Sequence, residues 1–277
     1  MRTALVAMMG LLGLSLAGMT FLSETNGAAE KSGTLEKEPT LADLAMGKLK
    51  IVDLTWTLDE KNPFWPAKNY EPFHLKTIAT IEKNGVLSKA FYTPEHLGTH
   101  LDAPNHFEKN QKSVDEMAAE DFFAPGVVID VTGPVGESPD YRLTVDEIRR
   151  WEKTNGTIPN GAVVFLQTGW GAHWNNYPRY KNQDVMGEMH FPGYSEEAAR
   201  FLVNERNVKG VGIDTLSIDY GMSKDFIVHH VVNKAGRYGL ENVARLEGLP
   251  AKGFYVFVAP VKVRSGSGGP TRIFAVY

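Results

Sequence analysis

The sequence predicts a single α/β domain, and three observations carry that expectation. Short apolar runs bounded by turn residues alternate with amphipathic stretches that open on helix-capping residues. Residues 126–131 and 162–166 are nearly continuous apolar runs, as strands buried on both faces require. No internal repeat or linker composition interrupts the chain after residue 40.

The elements follow in order. Arg2 precedes an apolar stretch at 4–22, and Ser23-Glu24-Thr25-Asn26 then leads to the small residues Gly27-Ala28-Ala29. This pattern reads as a secretory signal peptide over residues 1–29, which places the mature chain outside the cytoplasm, in the periplasm or extracellular space. An uncleaved anchor is the alternative. Residues 30–40 are charged and polar and read as a linker, leaving 41–277 as the folded domain. A strand is expected at 50–54, and 73–81 pairs with 88–93 across Asn84-Gly85. Thr144 opens a helix with Glu147 three residues on, a capping box, and Ser195 caps a second one with acidic residues in its first turn. Residues 208–213 read as another buried strand. Strands at 254–263 and 271–276 are expected to flank a turn formed by Ser265-Gly266-Ser267-Gly268-Gly269-Pro270, which either closes a plain hairpin or offers backbone N–H groups to an anion.

Composition excludes several classes of function. The 277 residues are 43% apolar, enough for a sizeable core, and carry a formal net charge of −4 with no long basic run. Nucleic acid is therefore not an expected partner, because phosphate binding needs a clustered positive surface. The absence of cysteine removes disulfides, thiolate metal sites and cysteine nucleophiles. Beyond the N-terminal stretch no segment approaches eighteen uninterrupted apolar residues, so no membrane contact is expected once a signal is cleaved.

Chemistry concentrates at His96-Leu97-Gly98-Thr99-His100-Leu101-Asp102-Ala103-Pro104-Asn105-His106, which holds three of the chain's eight histidines. Gly98, Pro94 and Pro104 argue against a helix. In an extended segment His100 and Asp102 project from one face, and His96 reaches the same point through the turn at Gly98-Thr99. Two neutral imidazoles and a carboxylate make a catalytic divalent-metal set with positions left open. Pro104 stiffens the exit and aims His106 back at the site. Downstream, Asp214-Thr215-Leu216-Ser217-Ile218-Asp219 follows a buried strand, where α/β folds place functional groups. His229 and Glu241 are unremarkable when taken alone.

The segment at 96–106 resembles the signature of the cyclase-like metal-dependent hydrolases, a family that includes bacterial kynurenine formamidase and isatin hydrolase. The likeness runs over residues 50–277 through Asp53-Leu54-Thr55, Thr168-Gly169-Trp170, Phe191-Pro192-Gly193, Gly212-Ile213-Asp214-Thr215, Leu240-Glu241-Asn242 and Ser267-Gly268-Gly269-Pro270-Thr271-Arg272. The resemblance implies a swivelling β/β/α fold, often dimeric, with one or two divalent ions, Zn²⁺ or Mn²⁺. It implies one ion held by His96, His100 and Asp102, and in dinuclear members a second held by Asp102, His229 and Glu241 with His106 beside it. Two departures stand out: Trp56 follows Asp53-Leu54-Thr55 where the family often has His, and Gln167 precedes Thr168 where it often has Arg. Both are expected to reshape the substrate pocket.

The function so expected is hydrolysis of an amide in an aryl formamide or cyclic arylamide, N-formylkynurenine-like or isatin-like. His106 is the candidate general base, its alternative role being a ligand or an orienting group. Phe64 and Trp65 are candidates for an aromatic wall against a planar small-molecule substrate, their alternative being a core role. A serine hydrolase would need a Gly-x-Ser-x-Gly elbow, and a zincin would need His-Glu-x-x-His; neither occurs. A cyclase or lyase acting on a polyketide-like substrate, and a secreted metal- or ligand-binding protein without turnover, are the competing readings.

Overall fold

The computed structural model describes residues 40–277, so the expected signal peptide and nearly all of the linker lie outside the described residues. Twelve strands are described: β1 (Ile51–Asp53), β2 (His74–Ala79), β3 (Ser88–Tyr92), β4 (His100–Asp102), β5 (Phe123–Asp130), β6 (Arg142–Leu143), β7 (Val163–Gln167), β8 (Gly193–Tyr194), β9 (Gly210–Ile213), β10 (Tyr238–Glu241), β11 (Phe254–Pro260) and β12 (Gly268–Val276). They are accompanied by helices α1 (Leu41–Ala45), α2 (Ile81–Asn84), α3 (Thr132–Glu137), α4 (Val145–Asn155), α5 (Tyr177–Lys181), α6 (Glu196–Glu205) and α7 (Ile227–Lys234). Among the described residues no helix is long and apolar enough to cross a membrane.

The main sheet runs β1-β12-β11-β5-β7-β9-β10-β4, and β4 also pairs with β12. That last pairing closes a seven-stranded, barrel-like ring, with β1 added along the far half of β12. The strands β5, β7, β9 and β10 run parallel, and the other pairings in the ring are antiparallel. Expectation and structure agree on the mixed α/β architecture.

The apolar runs behave as their composition requires. Along β7, Val163 and Phe165 enter one core with Leu54, Leu101, Val256 and Ile273. Val164 and Leu166 enter a second core with Ile148 of α4, Leu202 of α6 and Val232 of α7. Both faces of the parallel strands are thus covered. Thr144 and Glu147 form the reciprocal capping box at the start of α4, and Ser195 caps α6 by accepting from Ala198 N–H.

Two expectations need adjustment. The Gly-rich segment is only partly a turn: β12 starts at Gly268, and Gly268, Gly269 and Pro270 pair with Asp102, Leu101 and His100. A Cβ on Gly268 would run into the Leu101 carbonyl, so glycine is what lets this strand approach. The connection across Asn84-Gly85 contains the single turn α2 rather than a two-residue hairpin. Helix α7 begins at Ile227, two residues before His229, because Asp219 Oδ1 and Oδ2 accept the N–H groups of Val228 and His229.

Candidate metal centre

The ring closes where the ligand-type residues meet. Strand β4 sits between β10 and β12, so His100 is in register with Glu241 on one side and Pro270 on the other. Asp102 is flanked in the same way by Gly239 and Gly268. Leu101, between them, points into the core, and alternation carries His100 and Asp102 to the opposite face. Gly98 turns the chain into β4 with φ +68, a conformation that glycine adopts without strain.

Six side chains converge there. His96 Nδ1 lies 2.6 Å from Asp102 Oδ1, and His100 Nε2 lies 3.3 Å from both Asp102 Oδ1 and Glu241 Oε2. His229 Nε2, brought in by α7, is 3.4 Å from Asp102 Oδ2 and 3.2 Å from Glu241 Oε1. The His106 ring stacks on His96 with 3.8 Å between centroids. His100, Asp102, His229 and Glu241 are all at most 5% exposed.

Those distances make a donor set rather than a network of completed hydrogen bonds. His100 Nδ1–H donates to the Gly98 carbonyl at 2.9 Å, which leaves Nε2 with a lone pair facing two carboxylates. His229 Nδ1–H donates to Asp219 Oδ2 at 2.7 Å and leaves its Nε2 in the same condition. His100 Nε2 and Asp102 Oδ2 are buried without a hydrogen-bond partner. Stranded polar atoms of this kind cost free energy unless a cation satisfies them. His96, Asp102 and His106 form one group able to hold a metal ion, and His100, Asp102 and Glu241 form another. The residues therefore fit one or two divalent ions bound through nitrogen and oxygen.

The electrostatics agree. Burial opposes charge on His100, yet the Asp102 and Glu241 carboxylates outweigh it and lift its pKa to about 10, so they draw a cation, whether a proton or a metal ion, onto Nε2. Burial would likewise raise the pKa of Asp102, but His100, His229 and His96 hold it well below the ordinary carboxylate range. Two buried carboxylates thus hold positive charge close by, the condition a divalent ion satisfies. His106 behaves oppositely, because burial outweighs the attraction of Asp102 and presses its pKa down to about 3.

Above these groups lies a cavity of about 170 Å³. Phe64 and Trp65 line it together with His96, His106, His229 and Glu241, so the aromatic wall expected from sequence stands beside the donor set. A bridge from Phe64 to Leu97 fixes this wall against the histidine segment. Phe107 and Phe226 complete it, Phe226 lying 5.7 Å from Trp65 and 5.3 Å from Phe107 between ring centroids. Trp56 and Gln167 do not fulfil the expectation of reshaping this pocket. They line a separate cavity beside Asp214 and Arg245, because Trp56 is held flat on Trp174 at 5.1 Å between rings.

Sequence reasoning missed Asp219, Phe226, Tyr70 and the pair Glu95 and Ser267. Asp219 lay within a stretch marked by its position after a strand, and Ser267 lay within the Gly-rich motif. Phe226 and Tyr70 carry no local signal, since only the folded chain brings them to the cavity.

Known proteins resemble this chain in sequence and fold. A family model described as "Putative cyclase" matches residues 52–220. The isatin hydrolase of Roseibium aggregatum is 30% identical over 250 residues, covering 85% of this chain and 94% of its own. A kynurenine formamidase of Bacillus cereus is 25% identical over 222 residues, covering 80% and 94%. The solved structure of isatin hydrolase A from Ralstonia solanacearum matches with a TM-score of 0.81 at 35% identity, covering 86% of this chain and 97% of that one. With four of the ring's seven strands, the histidine segment and Phe64, Trp65 and Phe107 of the cavity wall inside the matched region, the chain belongs to the cyclase family.

Proposed function

We propose that this protein is a metal-dependent amidohydrolase that opens a cyclic arylamide or deformylates an aryl formamide, isatin-like or N-formylkynurenine-like. The observation that carries the proposal is the convergence of six donor side chains, two of them with stranded buried atoms, on the floor of an aromatic-lined cavity. The names of the relatives, isatin hydrolase and kynurenine formamidase, supply the substrate class.

In this reading His96, His100 and Asp102 hold one ion, Zn²⁺ or Mn²⁺, and Asp102, His229 and Glu241 hold a second where two are bound. A divalent ion at such a site acidifies water and polarises a carbonyl. His106, stacked on His96 at the cavity floor, is placed to take a proton from the attacking water and return it to the departing amide nitrogen. Phe64 and Trp65, with Phe107 and Phe226, hold the planar ring against the floor and exclude water from it. The small cavity favours a compact bicyclic substrate over a polyketide-like chain, since drug-sized ligands occupy pockets of about 300–1,000 Å³. Export through the N-terminal signal and assembly as a homodimer belong to the same proposal.

The test is metal analysis of the purified protein together with absorbance assays on isatin and N-formylkynurenine. Bound metal with turnover of either substrate is expected. A protein that retains no metal would overturn the reading. A metal-loaded protein that leaves both substrates intact would remove the named substrate class.

A further inference from the structure

The Gly-rich motif at 265–270 lies in the hairpin that joins β11 to β12 and is not needed for the roles assigned above, yet it packs directly behind His96. His96 Nε2 lies 2.9 Å from Ser267 Oγ, across 171 positions of sequence. Ser267 Oγ–H in turn donates to Glu95 Oε2 at 2.6 Å, and the Ser267 N–H donates to the same oxygen at 3.1 Å. A hydroxyl has one proton, and Glu95 takes it. Ser267 Oγ can then only accept, so the proton between it and His96 belongs to His96 Nε2.

We infer that Glu95 and Ser267 form a positioning pair that fixes the proton of His96 on Nε2 and so presents Nδ1 to the metal. His100 and His229 do the reverse: each donates through Nδ1, to the Gly98 carbonyl and to Asp219, and presents Nε2. The centre thus mixes one Nδ1 donor with two Nε2 donors, and the motif behind His96 dictates the exception. The neighbouring glycines are shaped for this. A Cβ on Gly268 would stand 2.7 Å from His96 Cε1, and one on Gly266 would stand 2.8 Å from Glu95 Oε1. Either would displace a member of the chain Glu95–Ser267–His96. With Nε2 protonated, the Nδ1 lone pair faces Asp102 Oδ1 at 2.6 Å, an approach that calls for a shared cation between them.

The inference rests on the metal-centre reading, and the experiment separates the two. Zinc affinity is measured by chelator competition for the full chain and for Ser267→Ala, Ser267→Thr and Glu95→Gln. Imidazole tautomers of the zinc-loaded proteins are read from long-range ¹H–¹⁵N spectra of ¹⁵N-histidine-labelled samples. The expected result is a parent protein with His96 protonated on Nε2 and His100 and His229 protonated on Nδ1. Ser267→Ala should bind zinc about 10–100-fold more weakly, as loss of such an orienting partner does in metal sites, while Ser267→Thr keeps the hydroxyl and restores affinity. Glu95→Gln should fall between them. A parent chain that binds no zinc would overturn the metal-centre reading itself. A parent that binds zinc with His96 protonated on Nδ1, or a folded Ser267→Ala variant with unchanged affinity and tautomer, would overturn the positioning role alone.

Discussion

Asp219 reaches no other donor in the centre except through His229, yet the orientation of that imidazole depends on it. One carboxylate oxygen accepts from His229 Nδ1 at 2.7 Å, and the other accepts the Val228 N–H at the start of α7 at 3.0 Å. Replacing Asp219 with Asn keeps the volume and removes the charge that fixes the tautomer. Metal affinity should drop about 10–100-fold, measured by chelator competition, with the fold retained by circular dichroism. His106→Ala should give the complementary result: metal content by mass spectrometry close to the parent, and kcat lower by about 10²–10⁴ because a general base is gone. A variant that lost its metal along with its activity would make His106 a ligand instead. These residues also mark where sequence stopped being legible. His96, His100, Asp102 and His106 were readable because eleven consecutive positions hold them. His229 and Glu241 carry no local pattern and came only with the family resemblance. Asp219, Glu95, Ser267 and Phe226 act through partners set by tertiary contact, which spacing cannot encode.

At the level of elements, the helices announce their starts in sequence because capping is local chemistry, and α4 shows it with Thr144 and Glu147. The short strands β4 and β10 do not, since the ladder they share joins residues more than a hundred positions apart. Helix α4 also carries a testable pH effect. Arg206 Nε and Nη2 grip Glu152 Oε1 and Oε2 at 2.6 and 2.8 Å, and the Ile158 N–H adds a third bond at 3.0 Å. The Arg206 hydrogen bonds hold the Glu152 pKa below the ordinary carboxylate value. A carboxyl whose folded pKa is lowered contributes stability that is complete above its unfolded pKa and fades as pH falls through the folded one. Glu152→Gln should therefore cost about 1 kcal/mol in urea unfolding near neutral pH, the pair being only partly shielded from solvent. The gap between variant and parent should close as pH drops below the folded pKa. A gap that persisted at low pH would assign the loss to packing rather than to charge.

The hairpin of β2 and β3 bears on the whole molecule. Among the described residues it pairs only with itself and exposes Leu75, Ile78, Phe91 and Tyr92, with Ile81, Val86 and Leu87 around its tip. An isolated two-stranded hairpin is marginal in water, and an apolar face of this size marks an association surface. It supports the proposed homodimer, and the double substitution Ile78→Lys with Phe91→Lys should halve the mass measured by light scattering while leaving metal content intact. An unchanged mass would move the interface elsewhere. The closure of the ring carries the last expectation. Strand β4 seals the barrel by pairing with β10 and β12, and the proposed ligands His100, Asp102 and Glu241 lie on that seam. An ion there ties β4 to β10 and α7 through side chains as well as through the backbone ladder. A ligand that binds only the folded state at a thousandfold excess over its Kd adds about 4 kcal/mol, which for a chain of this size corresponds to a rise in Tm of roughly 10 °C. Removing the ion with a chelator should lower the Tm by that order, and restoring it should recover the loss. Asp102→Asn, unable to bridge the donors, should melt at one temperature with or without chelator. A parent protein indifferent to chelation would show that the seam holds by hydrogen bonds and packing alone.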